Sequence, residues 1–424
     1  MCVHVLGISA VVVSGYDAVK EALVNKGEFT SDRPPVSGDG GEGYIFAKYG
    51  EMWRRRRRFA LTALRHFGVG RRVIETRINE EAYHLITVIR EYDNDKPLDL
   101  RPFVNNAVSN VICSLCFGQR FEYDDPKFHK LLDCINNLFS AGISSWVRLK
   151  FPFLRKVPFL FTGLKEDEKK LNKFMSEIRL EHASTLDPND PRDIIDTLLI
   201  KERSAEQIDG KDVFSSVFSK RGIIELFNAG TDTTTNTIMW IILNLVKFPD
   251  LQLKIQQEID QHIGQGRTPL MADKPNLAFT NAFIAETQRV FPVAPLAVPH
   301  QISDDVRLQG YIIPKGTMML ANLWSAQNDT KYWKDPEQFD PSRFLNPEKM
   351  FERGDSWMPF SLGKRICLGE QLAKVELFLL VTNLLQRFTF SHPRDQPEPD
   401  VRMQGVMGMT WSTVPFKVKI SSRS

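Results

Sequence analysis

The sequence predicts a helix-rich α+β fold, mainly α with small β-sheets, on two observations. First, apolar residues recur at the spacing of a helix face along most of the chain, whereas strand-like runs are short and few. Second, the 424 residues are 42% hydrophobic and 25% charged, an ordinary globular composition with enough apolar mass for a large core. Small sheets at the edge of a helical body are therefore expected.

The elements follow in chain order. "HVLGISAVVV" is rich in β-branched residues and predicts one N-terminal strand. Residues 34–50 are rich in Gly and Pro and predict a long loop of the kind that carries function. "VRLQGYIIPKGTMMLANL" and "TVPFKVKI" predict further short strands. Helical periodicity covers residues 16–26, 51–63, 70–91, 101–117, 127–142, 166–185, 193–202, 221–248, 250–264, 276–290 and 369–387.

Charge and hydropathy exclude some classes of protein. A net charge of +3 is too small to predict nucleic-acid binding. No segment reaches the ~18–20 consecutive apolar residues of a membrane span, and no signal peptide is recognisable. We expect that a leading portion precedes the first strand.

The five cysteines do not suggest a disulfide framework, because their number is odd and their spacing irregular. Cys113 and Cys116 lie in an apolar helical run, "AVSNVICSLCFG". We therefore predict two core thiols there, not a metal or redox pair.

A threonine-rich stretch, "NAGTDTTTNT", interrupts an apolar helical pattern at residues 228–237. Glycine and repeated hydroxyl side chains weaken a helix, so the pattern predicts a kink or a widened turn. A helix–loop–helix break is the less favoured alternative, since no proline or charge cluster marks a loop. Asp232 beside Thr233 places an acid next to a hydroxyl, which suits proton delivery.

An arginine run, "WRRRRRFA", begins at Trp53. Arg57 lies four residues after Trp53 and shares its helix face, so it is expected inside, while Arg55, Arg56 and Arg58 point elsewhere. A buried arginine needs a buried anion. A solvated helix face or a nucleic-acid patch are the alternatives.

The segment "FSLGKRICLGE" contains one cysteine, Cys367, just before a predicted helix. A helix N-terminus lowers the pKa of a thiol, and Gly363 and Gly369 permit a close approach of backbone to a flat partner. A soft thiolate suits iron. A cysteine hydrolase needs a general base, and although this segment has no histidine, a distant one keeps that alternative open.

These motifs together resemble the cytochrome P-450 superfamily of haem-thiolate monooxygenases, in particular its animal microsomal family 2 group. The pattern F-x-x-G-x-R-x-C-x-G is matched in full over residues 360–369, and [AG]-G-x-[DE]-T-[TS] over residues 229–234. E-x-x-R, P-x-R-F and W-x-x-x-R are matched at 286–289, 341–344 and 53–57. The resemblance covers essentially the whole chain and implies a single catalytic domain over residues 1–424.

The resemblance also implies roles. Cys367 would be the axial thiolate of haem b, and Thr233 with Asp232 the proton-delivery pair. The other cofactor-binding residues would be Trp53, Arg57, His300, Arg365, Arg33, Phe360 and Gly369. Substrate would contact Ala229, Gly230, Val293, Leu296 and Val298. Glu286, Arg289 and Arg343 would be structural.

The implied reaction inserts one oxygen atom from O2 into a lipophilic fatty acid, steroid or xenobiotic. Electrons would come from NADPH–cytochrome reductase, with cytochrome b5 as an optional second donor. The outward arginines around Arg55, Arg56, Arg58, Arg71 and Arg72 would steer this acidic partner. The aromatic segment 151–164 would contact a membrane surface, with the protein on the cytosolic face of the endoplasmic reticulum. A haem-thiolate isomerase or dehydratase, or a non-catalytic haem binder, is the alternative.

Overall fold

The computed structural model describes residues 1–5, 8–35, 41–92, 96–140, 162–393 and 405–423. Helices dominate these residues, as the periodicity predicts, and several are joined by short loops. Their bounds are α1 Tyr16–Lys20, α2 Gly27–Thr30, α3 Glu51–His66, α4 Arg72–Glu91, α5 Arg101–Cys116, α6 Pro126–Ser140, α7 Thr162–Thr185, α8 Ile194–Arg203, α9 Ser216–Lys247, α10 Pro249–His262, α11 Ala278–Val290, α12 Leu323–Gln327 and α13 Glu370–Arg387.

The strands are short and form small separate sheets. Their bounds are β1 Cys2–Val5, β2 Ile8–Ser14, β3 Gln207–Ile208, β4 Lys211–Asp212, β5 His300–Gln301, β6 Val306–Leu308, β7 Tyr311–Ile313, β8 Met318–Asn322, β9 Phe388–Ser391, β10 Gly405–Met407, β11 Trp411–Thr413 and β12 Lys419–Ser422. The largest described sheet has the order β1-β2-β8-β5, in which β2 pairs parallel with β8. The other described sheets are antiparallel hairpins or pairs.

The main core lies where α4, α5, α9 and α13 pack together. The side chains of α9 are buried over most of its length, which is why its sequence is apolar on nearly every face. A second, smaller core lies under the four-stranded sheet. The helix-rich α+β architecture is thus the predicted one.

The centre of α9 differs from its prediction. The helix is α-helical without interruption from Ser216 to Lys247, so the widened turn expected at the threonines is absent. The hydroxyl of Thr233 donates to the carbonyl of Ala229 at 2.6 Å, and that of Thr237 donates to Thr233 at 2.8 Å. These bonds to the preceding turn satisfy the hydroxyls inside the helix, and packing on both sides outweighs the low helix propensity.

Two further sequence predictions have a clear outcome. The single N-terminal strand is instead an antiparallel pair, in which Cys2–Val5 runs against Ile8–Ser14. Cys113 and Cys116 are buried free thiols on α5, as expected, and burial raises the pKa of each above its usual range.

The membrane-surface prediction for 151–164 concerns residues that lie, up to 161, outside the described part of the chain. Among the helices that are described, none combines the length and the apolar character needed to cross a bilayer.

Candidate active site

A cavity of about 300 Å³ lies between the middle of α9 and the loop that holds Cys367. Most of the residues that the sequence singles out come together in its wall, although they are far apart in the chain. They are Arg33, Trp53, Arg57, Ala229, Gly230, Thr233, Val293, Val298, His300, Phe360, Arg365, Cys367 and Gly369.

Two predicted residues are not in that wall. Leu296 is about 40% exposed and lies outside the cavity lining, so a substrate contact there is not supported. The carboxylate of Asp232 accepts a hydrogen bond from the hydroxyl of Thr410 at 2.6 Å instead of facing the cavity.

Cys367 lies in the loop that ends at the N-terminus of α13. Its backbone N–H donates to the carbonyl of Phe360 at 3.0 Å, which closes the loop into a tight turn around the sulfur. The accessible surface of the side chain faces the cavity that it lines. The thiol has no disulfide partner. It is therefore placed as a single free ligand or nucleophile at the cavity wall.

The pKa of Cys367 differs in direction from the sequence expectation. Burial raises it, while the backbone N–H groups of Gly369 and Glu370 and the charge of Arg57 lower it by less. The helix start thus contributes as predicted, yet desolvation of the thiolate outweighs it. A bound metal ion would reverse this balance, because coordination removes the thiol proton outright.

The backbone conformation and the close packing at position 363 require glycine. Gly363 has φ +74, and a Cβ there would lie 1.9 Å from the carbonyl oxygen of Leu23. A side chain at Gly369 would meet only the Cys367 sulfur, at 4.0 Å. The close approach at the first glycine is therefore to the chain itself, and not to a flat partner as the sequence suggested.

Three arginines converge on one edge of the cavity and bond only to backbone oxygens within the described residues. Arg33 donates to the carbonyls of Ile45 at 3.0 Å and Val298 at 2.7 Å. Arg57 donates to Ile366 at 2.5 Å. Arg365 donates to the carbonyls of Ser31 at 2.9 Å, Tyr44 at 3.3 Å and Ala47 at 2.6 Å.

These cations are desolvated, and the nearby Asp32 and Glu225 offset this desolvation only in part. Burial lowers the pKa of Arg365 to about 10 and lowers those of Arg33 and Arg57. Arg365 also lowers the pKa of Arg33, which shows that the two charges repel. Buried like charges at a cavity edge are costly unless a ligand brings negative charge. The edge is consequently an anion site.

Two more polar groups belong to this edge. The indole N–H of Trp53 donates to the carbonyl of Tyr44 at 2.9 Å, and the Arg365 guanidinium lies over the Trp53 ring. His300 donates from Nδ1 to the carbonyl of Thr30 at 2.7 Å, while burial and the neighbouring arginines hold its pKa well below 6.5. The imidazole is thus neutral, and its Nε2 takes no part in the hydrogen bond to Thr30.

The arginine run corrects one prediction. Arg56, expected to point outward, is buried at 3% exposure. It donates to the carbonyl of Val213 and to the carboxylate of Glu42, both within 2.9 Å, and lies over the ring of Phe218. Arg55 and Arg58 are exposed as predicted. Lys364 forms an ion pair with Glu28.

Gly230 and Thr233 bring α9 to the cavity. A Cβ at Gly230 would lie 2.5 Å from Cδ1 of Ile112, so glycine here lets α9 pack closely on α5. The Thr233 hydroxyl donates a hydrogen bond to the carbonyl of Ala229, and Thr233 lines the cavity.

Two carboxylates in the wall were not singled out from the sequence. Glu225 accepts from the backbone N–H groups of Tyr44 at 2.6 Å and Ile45 at 2.9 Å, and thereby ties the loop after residue 40 to α9. Glu376 is fully buried, accepts from Thr234 at 3.3 Å, and burial raises its pKa well above the usual range. The one sequence feature that could have indicated either glutamate is an acidic residue within an otherwise apolar helical segment.

The predicted structural group forms away from the cavity. Arg289 donates to both carboxylate oxygens of Glu286, at 2.6 and 2.9 Å, and both side chains are fully buried. Arg343 joins the same carboxylate at 3.1 Å, as does the backbone N–H of Asp340 at 2.8 Å. The group fixes α11 to the loop that follows β8 and α12.

Comparisons with known proteins extend over nearly the full chain. A family model described as Cytochrome P450 matches residues 1–420. Cytochrome P450 2U1 of Homo sapiens is 40% identical over 420 residues, which cover 97% of this chain and 77% of that protein. Cytochrome P450 2D4 of Rattus norvegicus is 40% identical over 425 residues, covering 98% and 84%.

Proposed function

This chain belongs to the cytochrome P450 family and is a haem-thiolate monooxygenase, and we propose that it inserts one oxygen atom of O2 into a lipophilic organic substrate, using electrons from an NADPH-dependent reductase. The observation that carries the site assignment is the set of buried arginines whose side chains, among the described residues, donate hydrogen bonds only to backbone carbonyls, beside the free thiol of Cys367.

The residues present fit a haem. Its two propionates are anions on one edge of a flat ring, and Arg33, Arg57 and Arg365 present positive charge along one edge of the cavity. His300 adds hydrogen-bonding capacity there through Nε2. In this assignment, binding of the cofactor relieves the repulsion between Arg33 and Arg365.

Cys367 is the residue that would hold the iron. The N–H groups of Gly369 and Glu370 direct positive charge at its sulfur, which stabilises the thiolate and moderates how much electron density it donates. When bound, haem supplies the activation of O2. The chain's own contribution is to position substrate, exclude water and move protons.

Thr233 is the proton donor that we assign to the cavity. Its hydroxyl can both donate and accept a hydrogen bond, and its bond to Ala229 fixes the oxygen at the cavity wall. Asp232, next in the chain, is the acid that would replace the proton. Burial raises the pKa of Asp232, so that this pKa lies closer to neutral pH than that of a surface aspartate.

The apolar part of the cavity wall favours an apolar substrate. Val293, Ala294, Ala297 and Val298 line it from the segment before β5, and Ile112 from α5. Such a surface binds hydrocarbon through burial and offers few hydrogen bonds to discriminate between ligands. A fatty acid, a steroid or a xenobiotic therefore all suit the site.

The proposed electron donor is an acidic flavoprotein reductase, with cytochrome b5 as an optional second donor. Arg57 joins α3 to the Cys367 loop, so the exposed arginines of α3 lie near the thiolate side of the cavity. With Arg71 and Arg72 at the start of α4, they form a basic surface. We further propose a location at the endoplasmic reticulum membrane, as the microsomal character of the relatives' group suggests.

An optical spectrum of the reduced protein with carbon monoxide tests the ligand assignment. Wild-type protein is expected to give the strongly red-shifted Soret band of thiolate ligation, and Cys367→Ser to lose it. Cys2→Ser is the matched control, because Cys2 is exposed and lies outside the cavity lining. A red-shifted band that survives in Cys367→Ser would reject the assignment.

A spin-state titration tests the substrate class. Lipophilic compounds should shift the ferric spectrum, whereas polar metabolites of similar size should not. Consumption of NADPH in the presence of a reductase, matched by product, then separates a monooxygenase from a reductase-independent isomerase.

A further inference from the structure

The carboxylate of Asp232 faces away from the cavity into a polar group built by three elements. Thr410, just before β11, donates its hydroxyl to Asp232 Oδ2 at 2.6 Å. Asn236, one turn along α9, donates from Nδ2 to the same hydroxyl oxygen at 3.1 Å. Arg101, at the start of α5, donates to Asn236 Oδ1 at 2.7 Å and to the hydroxyl of Thr413 at 2.9 Å.

The geometry of this group is fixed by packing and not by the polar contacts alone. Trp411, next to Thr410, packs against Trp240 of α9 at a ring distance of 5.3 Å. Its carbonyl accepts from the Trp240 indole at 3.1 Å, and its N–H donates to Val293 at 2.8 Å. The hydroxyl of Thr410 is therefore held beside α9 at the level of Asp232.

The charges around Asp232 act in opposite directions. Burial raises its pKa, whereas the Thr410 hydroxyl, the charge of Arg101 and Asn236 lower it. Arg101 is the cation that acts on it, and Asp99 is the acid beside that arginine. The hydroxyl bond favours the ionised carboxylate, because a hydroxyl donates most strongly to an anion.

We propose that Thr410 and Arg101 are positioning residues for Asp232, which hold its carboxylate turned away from the cavity until proton delivery to Thr233. The proposal rests on the proton-delivery role assigned above to Asp232 and Thr233. In the step itself, the Asp232 carboxylate takes a proton from water, and the neutral carboxyl group leaves Thr410 and gives that proton to Thr233 Oγ1 as Thr233 releases its own proton into the cavity. The Asp232 carboxylate, ionised again, then returns to Thr410.

The arrangement explains why an acid beside Thr233 in sequence does not face the cavity beside it in space. A carboxylate left permanently in the apolar wall would cost desolvation energy in every resting molecule. The hydrogen bond from Thr410 satisfies the carboxylate, and the strength of that bond determines the pH at which Asp232 becomes protonated and available as an acid.

The first experiment measures the titration of Asp232 in the ferric holoenzyme. Infrared difference spectra follow the carboxyl stretch with pH, and Asp232→Asn identifies the band. Thr410→Val removes the hydroxyl at nearly constant shape and is expected to raise the pKa of Asp232 by about one unit, given the strength of a charge-assisted hydrogen bond. Thr410→Ser keeps a hydroxyl and should restore the wild-type titration.

The matched control is Ser412→Ala, in the same hairpin, whose hydroxyl is directed at the carbonyl of Val406 and not at Asp232. It should leave the titration unchanged. If Thr410→Val lowers stability too far, Thr410→Ala serves in its place. If the pKa of Asp232 in Thr410→Val, or in Thr410→Ala where that variant is used, equals the wild-type value, the proposal is overturned.

The second experiment separates this proposal from the proposed proton path. The amount of product formed per NADPH consumed is measured against pH. The pH at which this yield declines should rise in Thr410→Val by the same amount as the pKa of Asp232. If Asp232→Asn couples like wild type at every pH, the proton-delivery role of Asp232 is wrong. The infrared shift would then still decide whether Thr410 positions the carboxylate.

Discussion

At the scale of single residues, two threonines of α9 line the cavity but differ in their sequence context. Thr233 and Thr237 each donate to the carbonyl four residues back, so their contribution to helix stability is similar. Only Thr233 belongs to the motif in which an acid precedes a threonine at this wall. Their substitution should therefore affect catalysis differently.

Thr233→Ala is expected to lower the yield of product per NADPH by about tenfold or more, since positioned proton transfer contributes at least that much. The electrons would instead leave as hydrogen peroxide, which a peroxide assay measures in the same reaction. Thr237→Ala is the control for loss of the intrahelical bond. Equal coupling in the two variants would remove Thr233 from the proton path.

The sequence predicted individual site residues well where one helix face decides their direction. Trp53 and Arg57, four residues apart, both reach the cavity as expected. Arg56 was placed wrongly because its burial depends on Glu42, Val213 and Phe218, which the sequence does not bring near α3. Direction along a helix is local information, whereas the partners that bury a cation are not.

At the scale of elements, the bonds around Glu286 join α11 to the segment that carries Arg343. The carboxylate is fully buried and accepts from Arg289, Arg343 and the N–H of Asp340. Removing one member leaves buried charge without compensation, which is the costly case for an internal ion pair. The group lies outside the cavity lining, so its loss should affect stability before chemistry.

Glu286→Gln is expected to lower the free energy of unfolding by about 3–5 kcal/mol, as measured by denaturant titration of the haem-loaded protein. Glu51→Gln is the surface control, because Glu51 pairs with Arg54 and Arg55 at about half exposure. That change should cost less than about 1 kcal/mol. Similar losses in both variants would contradict a structural role for Glu286.

Helix positions were predictable because each helix carries its own apolar period, and α4, α5 and α13 begin or end within two residues of the expected places. The interior of α9 was not, since propensity predicts a kink or a widened turn at residues 228–237. Bonds from hydroxyls to the preceding turn and contact with α5 on one side keep it helical. Those contacts are tertiary and leave no local signature.

At the scale of the whole molecule, the cavity and the basic surface lie on different faces of the same helix, α3. Arg57 faces the cavity, whereas Arg58 is exposed one residue later, and Arg72 is exposed at the start of α4. Charge on that surface can act on an approaching partner without touching the substrate wall.

Arg58→Glu with Arg72→Glu is therefore expected to slow reduction by the reductase, on the order of tenfold at low salt, and to leave substrate affinity unchanged. Stopped-flow reduction and the spin-state titration measure the two quantities. Lys173→Glu, an equally exposed change on α7, is the control. Reduction at the wild-type rate in the double variant would remove this surface from partner binding.

The assembly of the site was predictable only through motifs. Trp53, Thr233, His300 and Cys367 are separated by long stretches of chain, and no periodicity indicates that they share one cavity. The resemblance to a family predicted that these residues share one site. In the structure, the packing of α3, α9 and the Cys367 loop brings them together.

The contact of Gly230 with Ile112 has a consequence for how such a chain can change over evolutionary time. An alanine at 230 alone would place its methyl 2.5 Å from the end of the Ile112 side chain, which must then move aside. A shorter residue at 112, alone, would merely leave a small gap. The two replacements are therefore expected to be accepted most readily in one order, with position 112 changing first, because the methyl group at 230 then displaces no side chain.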